Sequence, residues 1–147
     1  MSDAAVNPMK AGLEDVVVSP TEICFIDGHK GRLVYRGYDV DDLVAHASFE
    51  EVVFLLFHGR LPNRKEAEAN QKALSSAANR KLPPKLIAML RQLPKKTTPM
   101  EALRTGVSAL SAFDPDAADN SHEATLRKSI RLTAQLPTLV AAWERIR

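Results

Sequence analysis

The sequence predicts a mainly α-helical chain: a small N-terminal β-hairpin or meander, then a multi-helix bundle. Three observations carry this. Short runs of β-branched and aromatic residues separated by turn residues occupy the part before Tyr38. Beyond it, apolar residues recur at helical spacing. Capping pairs and prolines then divide the chain into short helices.

Residues 1–12 are small and polar, broken by Pro8 and Gly12, and read as a mobile arm. Three β-like pieces follow: Val16–Val18, Ile23–Ile26 and Leu33–Tyr35. The polar loop Asp27–Gly31 offers two glycines for positive φ. Strands this short need helices to lie against. Asp39 is placed to cap a helix over Val40–Ala47, with Asp41 and Asp42 in its first turn.

The next helix has the clearest bounds. Ser48 and Glu51 form a capping box, Gly59 suits the left-handed closing position, and Pro62 prevents continuation. Val52–Phe57 is apolar without a break, which predicts a helix covered on several sides. Asn63 and Glu66 repeat the cap for a helix from Arg64 to about Ala78. Its few apolar positions, Ala67, Leu74 and Ala78, place it on the surface. Pro83-Pro84 opens a helix to Leu93 with Leu86, Met89, Leu90 and Leu93 on one face.

Thr98, Pro99 and Glu101 combine a capping box with proline at the first helical position, and the helix is expected to run to about Ala112. Met100, Leu103, Val107 and Leu110 form a narrow apolar seam; Ala102, Gly106 and Ala109 permit close approach. Asn120 and Glu123 are read as a further capping pair. Helical spacing then runs from Ser121 to Arg147, with Pro137 predicting a kinked helix or two helices meeting at Gln135–Pro137. No stop signal closes this pattern, and Trp143 and Ile146 are expected to need partners. That predicts a fragment, or one chain of a split protein.

Apolar residues make up 45% of the sequence, enough for a core, but there are only one Trp, two Tyr and five Phe, so the filling is aliphatic. A net charge of +2 argues against nucleic-acid or anionic-membrane partners. The single Cys24 excludes an internal disulfide or a cysteine metal cluster and points to a reducing, cytoplasmic setting. The N-terminus lacks the apolar stretch of a signal peptide. No apolar run approaches the roughly 20 residues a membrane span requires.

The sequence offers little chemistry of its own. His29, His46, His58 and His122 never pair at i, i+3 or i, i+4 spacing, so they do not indicate a helical metal site. His58 reads as a hydrogen-bonded histidine at a helix end, His29 as a solvated turn residue, and His46 and His122 as capping or solvent-facing. Cys24 reads as packing. Asp39, Asp41 and Asp42 are explained by a helix's first turn. Arg36 suits either an anion or a nearby carboxylate, and the carboxylate is the simpler reading. No nucleophile elbow or phosphate-binding glycine motif is present. No catalytic, cofactor-binding or metal-ligating residue is therefore assigned, and no cofactor is implied.

The segments GLEDVVVSPTEICFIDGHKGRLVYRGYDVDDL, FEEVVFLLFHGRLPN, PMEALRTGVSALSAFDPD and RLTAQLPTLVAAWERIR resemble, in content, order and approximate spacing, the N-terminal part of bacterial and archaeal citrate and 2-methylcitrate synthases. The resemblance covers about residues 12–147. It rests on IDG-x-x-G-x-L-x-YRGY together with PM-x-x-LR-x-x-VSAL.

This resemblance implies a mostly helical homodimer that condenses acetyl-CoA or propionyl-CoA, as co-substrate, with oxaloacetate, using an aspartate, two histidines and carboxylate-binding arginines and no metal. Those family residues belong to motifs beyond this sequence, so none is carried over. Residues 13–147 would form the N-terminal part of the family's large domain. The helices around PMEALRTGVSAL and RLTAQLPTLVAAW would lie in or near the dimer interface. The expected partners are a second copy or a complementary C-terminal citrate synthase chain, and the chain alone is expected to be inactive. The alternative expectation is a non-catalytic helical protein that binds a full-length synthase.

Overall fold

The computed structural model describes residues 19–147. The expected arm over residues 1–12 and the expected strand Val16–Val18 lie outside them. The sheet is an antiparallel meander of β1 (Cys24–Asp27), β2 (Arg32–Tyr35) and β3 (Tyr38–Asp39). Its register pairs Cys24 with Tyr35, Ile26 with Leu33, and Tyr35 with Tyr38. Gly31, not Gly28, takes the positive φ in the first turn. The sequence reading missed β3, because the two-residue turn Arg36-Gly37 hides inside YRGY. The sheet meets the helices mainly through β2 and β3, which contact α1 (Val40–His46). Phe25 and Ile26 on β1 stay exposed, so the expected cover over this strand is absent among the described residues.

Asp39 stands at the N-cap position of α1, but its side chain makes no cap bond. Its two carboxylate oxygens instead accept from Nε and Nη2 of Arg32, at 3.0 and 2.9 Å. A bidentate pair outcompetes a single backbone N–H for one carboxylate. In α2 (Phe49–His58) the expected Ser48–Glu51 capping box is present, and Gly59 closes the helix at φ 75°. A side chain at Gly59 would be strained, since L residues avoid this region.

The chain pauses sooner than expected after α3 (Arg64–Ser75). Ser76 leaves helical geometry and caps a single turn, α4 (Ala77–Arg80), by accepting from the N–H of Asn79. Asn79 Nδ2 in turn donates to the carbonyl of Ala73. Ser and Asn side chains compete for backbone partners, which is why an apolar-period reading overran this boundary. α3 does lie at the surface, but it buries a polar residue: Asn70 Nδ2 donates to the carbonyl of Glu50 at 2.7 Å, fastening α3 to α2.

The core lies elsewhere than predicted. It is built by Leu82, by Leu86 and Leu90 of α5 (Pro84–Gln92), by Ala102 and Leu110 of α6 (Pro99–Leu110), and by Leu139 and Trp143 of α7 (His122–Ile146). α2 buries Val53, Phe54 and Leu55 but exposes Phe49, so it is not covered all round. It has α3 as its main neighbour, whereas α7 packs against α3, α4, α5 and α6. Fully burying each core leucine is worth about 1.5–3 kcal/mol, so the α5–α6–α7 cluster outweighs the shorter apolar run.

α6 begins as predicted, with a Thr98–Glu101 capping box and Pro99 first. Its buried row is Ala102, Gly106 and Leu110; Leu103 and Val107 lie half-buried beside it, and Met100 is 70% exposed. The helix stops at Leu110 and tightens into a 3₁₀ turn over Ser111–Phe113, ahead of Asp114-Pro115, because a residue before proline disfavours helical geometry. The cap of α7 is Ser121, accepting from Ala124 N, not the predicted Asn120. α7 is one 25-residue helix, and Pro137 sits inside it without dividing it. Proline cannot donate to the carbonyl four residues back, but α7 is buried on both sides of it, through Ala124 and Ala134 before and Leu139 and Trp143 after. Trp143 is only 3% exposed, so its partners are within the chain.

Two ion-pair clusters fasten the connections. Arg60 grips Glu66 with two hydrogen bonds, at 2.8 and 2.6 Å. Arg131 bonds both Asp114 and Asp116, and Arg127 adds a second grip on Asp116, pinning the loop after α6 onto α7. Hydrogen bonds from Arg60 and from the Asn63 N–H lower the Glu66 carboxyl from its ordinary 4.5 to about 2. Hydrogen bonds from Arg127 and Arg131 hold Asp116 well below the carboxylate range.

Two predictions follow from this packing. A Cβ at Gly106 would lie 2.8 Å from Leu139 Cδ2. Gly106→Ala should therefore destabilise by about 1–3 kcal/mol through overpacking, despite better helix propensity. In a Leu139→Ala background the same change should become neutral or stabilising; urea melts of the four proteins check this. Because Glu66 is depressed in the folded state, its contribution is present above the ordinary glutamate range and is lost as pH falls from 4.5 toward about 2. Glu66→Gln should flatten the decline of the urea midpoint across that window, and added salt should shrink the difference.

Candidate functional site

Two surface features gather the residues with unmet chemistry. The first lies along α6 and α7. The half-buried Leu103 and the exposed Met100 face Val140, which is 51% exposed, across a groove of about 150 Å³ that Trp143 and Glu144 also line. Leu132 continues the apolar surface one helical stretch back, beside a second groove that it shares with Val107. Trp143 Nε1 is buried, with no acceptor among the described residues. An indole N–H normally finds a partner when buried. Sequence reading placed the open apolar surface at Trp143 and Ile146. Trp143 is buried and Ile146 half-buried, and the exposed residues are Met100, Leu132 and Val140. Helical spacing alone could not decide this, because α5 and α6 approach α7 on the Trp143 side.

The second feature is an open concavity of about 510 Å³ where the sheet, the end of α2 and the start of α7 meet. It is lined by Glu22, Arg36, Phe57, His58, Gly59 and His122. Arg36 holds φ at 48° and Gly37 at 90°, so both central residues of the hairpin turn lie in the left-handed region. Such turns favour Asn-Gly. Arginine in this geometry costs on the order of 1–2 kcal/mol. Its Nη2 reaches the Leu56 carbonyl at 3.4 Å, at the end of α2. Its Nη1 lies 3.7 Å from Glu22, whose side chain is 93% exposed. Its Nε is buried without an acceptor among the described residues. The expected pairing with a carboxylate is thus loose, and the helix-end contact has no signal in the local sequence.

The other histidines and the cysteine fall in less built surroundings. His58 stacks on Phe54 with ring centroids 4.1 Å apart, which fixes the imidazole at the end of α2. His29 is exposed in its turn and His46 exposed in the last turn of α1. Cys24 is half-buried in β1 with a free thiol. Among the described residues, no group of three His, Cys, Asp or Glu side chains is arranged to hold a metal ion. No helix among them is long and apolar enough to cross a membrane.

Comparison with known proteins gives this arrangement a lineage. Residues 12–147 match the family model described as citrate synthase, C-terminal domain. The chain is 44% identical over 144 residues to the citrate synthase of Haloferax volcanii, covering 95% of this chain and 37% of that protein. It is 41% identical over 133 residues to the 2-methylcitrate synthase of Mycobacterium tuberculosis, covering 90% of this chain and 33% of that one. The crystal structure of citrate synthase from Pyrobaculum aerophilum superposes with a TM-score of 0.82 at 35% identity, over 92% of this chain and 35% of that chain. The chain therefore spans about a third of the length of these relatives. The chain belongs to the citrate synthase family.

Proposed function

We propose that this chain supplies the N-terminal scaffold and dimerisation segment of an enzyme that condenses acetyl-CoA or propionyl-CoA with oxaloacetate. The observation that carries the reading is the α6–α7 pair. Its Gly106–Leu139 contact makes a tightly packed unit, while Met100, Leu132 and Val140 remain exposed beside it. An apolar surface on a well-packed helix pair suits association. The family relation supports the reaction class, and the relatives' names leave both acyl groups open.

Residues 13–147 form the N-terminal part of the large domain in this reading. The matching family model's description names a C-terminal domain; the motif order, a meander followed by short capped helices, is what supports the N-terminal placement. The catalytic aspartate and histidines then belong to sequence outside these 147 residues. The partner surface receives a second copy or the complementary portion of a synthase, and the free Cys24 suits a cytoplasmic, reducing setting.

The test is thiol release from acetyl-CoA and from propionyl-CoA with oxaloacetate. These residues alone should give none, and turnover should appear when the complementary portion of a citrate synthase is added. Turnover by the chain alone contradicts the reading. A soluble mixed complex without turnover favours the non-catalytic binding protein instead. A second prediction concerns the face itself. Val140→Asp places an unpaired charge in the proposed contact and should weaken self-association about tenfold or more, measured by sedimentation velocity. An unchanged association constant would remove α7 from the interface.

A further inference from the structure

Arg32, Arg60, Arg127 and Arg131 each hold a carboxylate through two hydrogen bonds. Arg36 does not. Its guanidinium carries five N–H donors, yet its described contacts are the 3.4 Å bond to the Leu56 carbonyl and the 3.7 Å approach of Glu22. Its backbone is fixed by the left-handed turn, with φ at 48°, and by the bond from the Arg36 N–H to the Ile23 carbonyl at 3.0 Å, and its side chain is only 22% exposed. A positioned and under-bonded guanidinium is an anion receptor with its ordering cost already met.

The surroundings are matched to that use. His58 is oriented by its stacking on Phe54, and His122, the first residue of α7, lines the same concavity. Imidazoles from two separate helices thus flank the guanidinium. Among the described residues, Glu22 is the only carboxylate lining the concavity, and it is almost fully solvated, so it is a displaceable counterion. Gly59 adds no side chain to the floor: a Cβ there would reach Arg36 Cζ at 4.0 Å.

We propose that the concavity between the β2–β3 turn, the end of α2 and the start of α7 binds a small dianionic oxyanion. The anion takes Nη1 of Arg36 in place of Glu22, with His58 and His122 as flanking donors. The ligand chemistry is a phosphoryl group or a pair of carboxylates on a small molecule. This site is separate from the α6–α7 face, and its test requires no turnover, so it stands or falls independently of the scaffold role.

The experiment titrates the chain with inorganic phosphate and, separately, with succinate at constant ionic strength, following the Arg36 side-chain and the His58 and His122 ring resonances by NMR. Saturable shifts at all three residues are expected. His122→Ala should weaken binding and Glu22→Gln should tighten it, each about two- to fivefold, the range of an exposed charge contact. Both positions are exposed, so neither change threatens the fold. Saturation by phosphate alone assigns a phosphoryl ligand, and by succinate alone a dicarboxylate. Shifts that never saturate with either anion, or affinities identical in all three proteins, overturn the proposal.

Discussion

The contact between Gly106 and Leu139 is the constraint on which the rest of the structure depends. With only a hydrogen at position 106, the methyl groups of Leu139 fill the space where a Cβ would stand, less than 3 Å away. That lets α7 lie directly on α6, with Ala102 and Leu110 above and below the contact. Leu86 and Leu90 of α5 then close the same core from a third side, and Trp143 fills the remaining corner. A 25-residue helix is about 37 Å long. Once fixed on α6, α7 therefore carries His122 far from this core, to the junction where the sheet and the end of α2 meet.

Polar groups set the geometry that apolar packing leaves free. The Arg131–Asp114–Asp116 cluster fastens the loop after α6 onto α7, and Gln135 Nε2 donates to the Lys81 carbonyl to hold the entry into α5. Asn70 joins α3 to α2, and Arg36 joins the sheet to the end of α2. Burial raises Asp114, but hydrogen bonds from Arg131 and from the Asp116 N–H outweigh it and leave the carboxyl below its usual range. These ties are partly solvated, so each adds a modest amount of stability while fixing one direction of approach.

Local chemistry was legible in the sequence wherever one residue type could fill only one role. The Ser48–Glu51, Asn63–Glu66 and Thr98–Glu101 boxes and the Gly59 closure appear where they were read. The mainly helical class and the family motifs were legible for the same reason. Competition between partners was not. Asp39 chose Arg32 over its own helix, Ser76 ended α3 early, and Ser121 took the cap from Asn120. The location of the core was also hidden. The most apolar run, in α2, has fewer neighbours here than the sparser seams of α5, α6 and α7, and neighbours are a tertiary property. The Arg36 concavity escaped for a similar reason, since His58 and His122 are 64 positions apart in sequence.

The firmest part of the described chain is the core shared by α5, α6 and α7. The most direct test is native-state amide hydrogen exchange. If the Gly106–Leu139 contact organises the fold, the slowest-exchanging amides will lie in α5, α6 and the Leu139–Trp143 stretch of α7, opening together, while the sheet, α1 and α2 exchange faster. Slowest exchange in α2 or in the meander would contradict the account and move the centre of stability to the apolar run at Val52–Phe57.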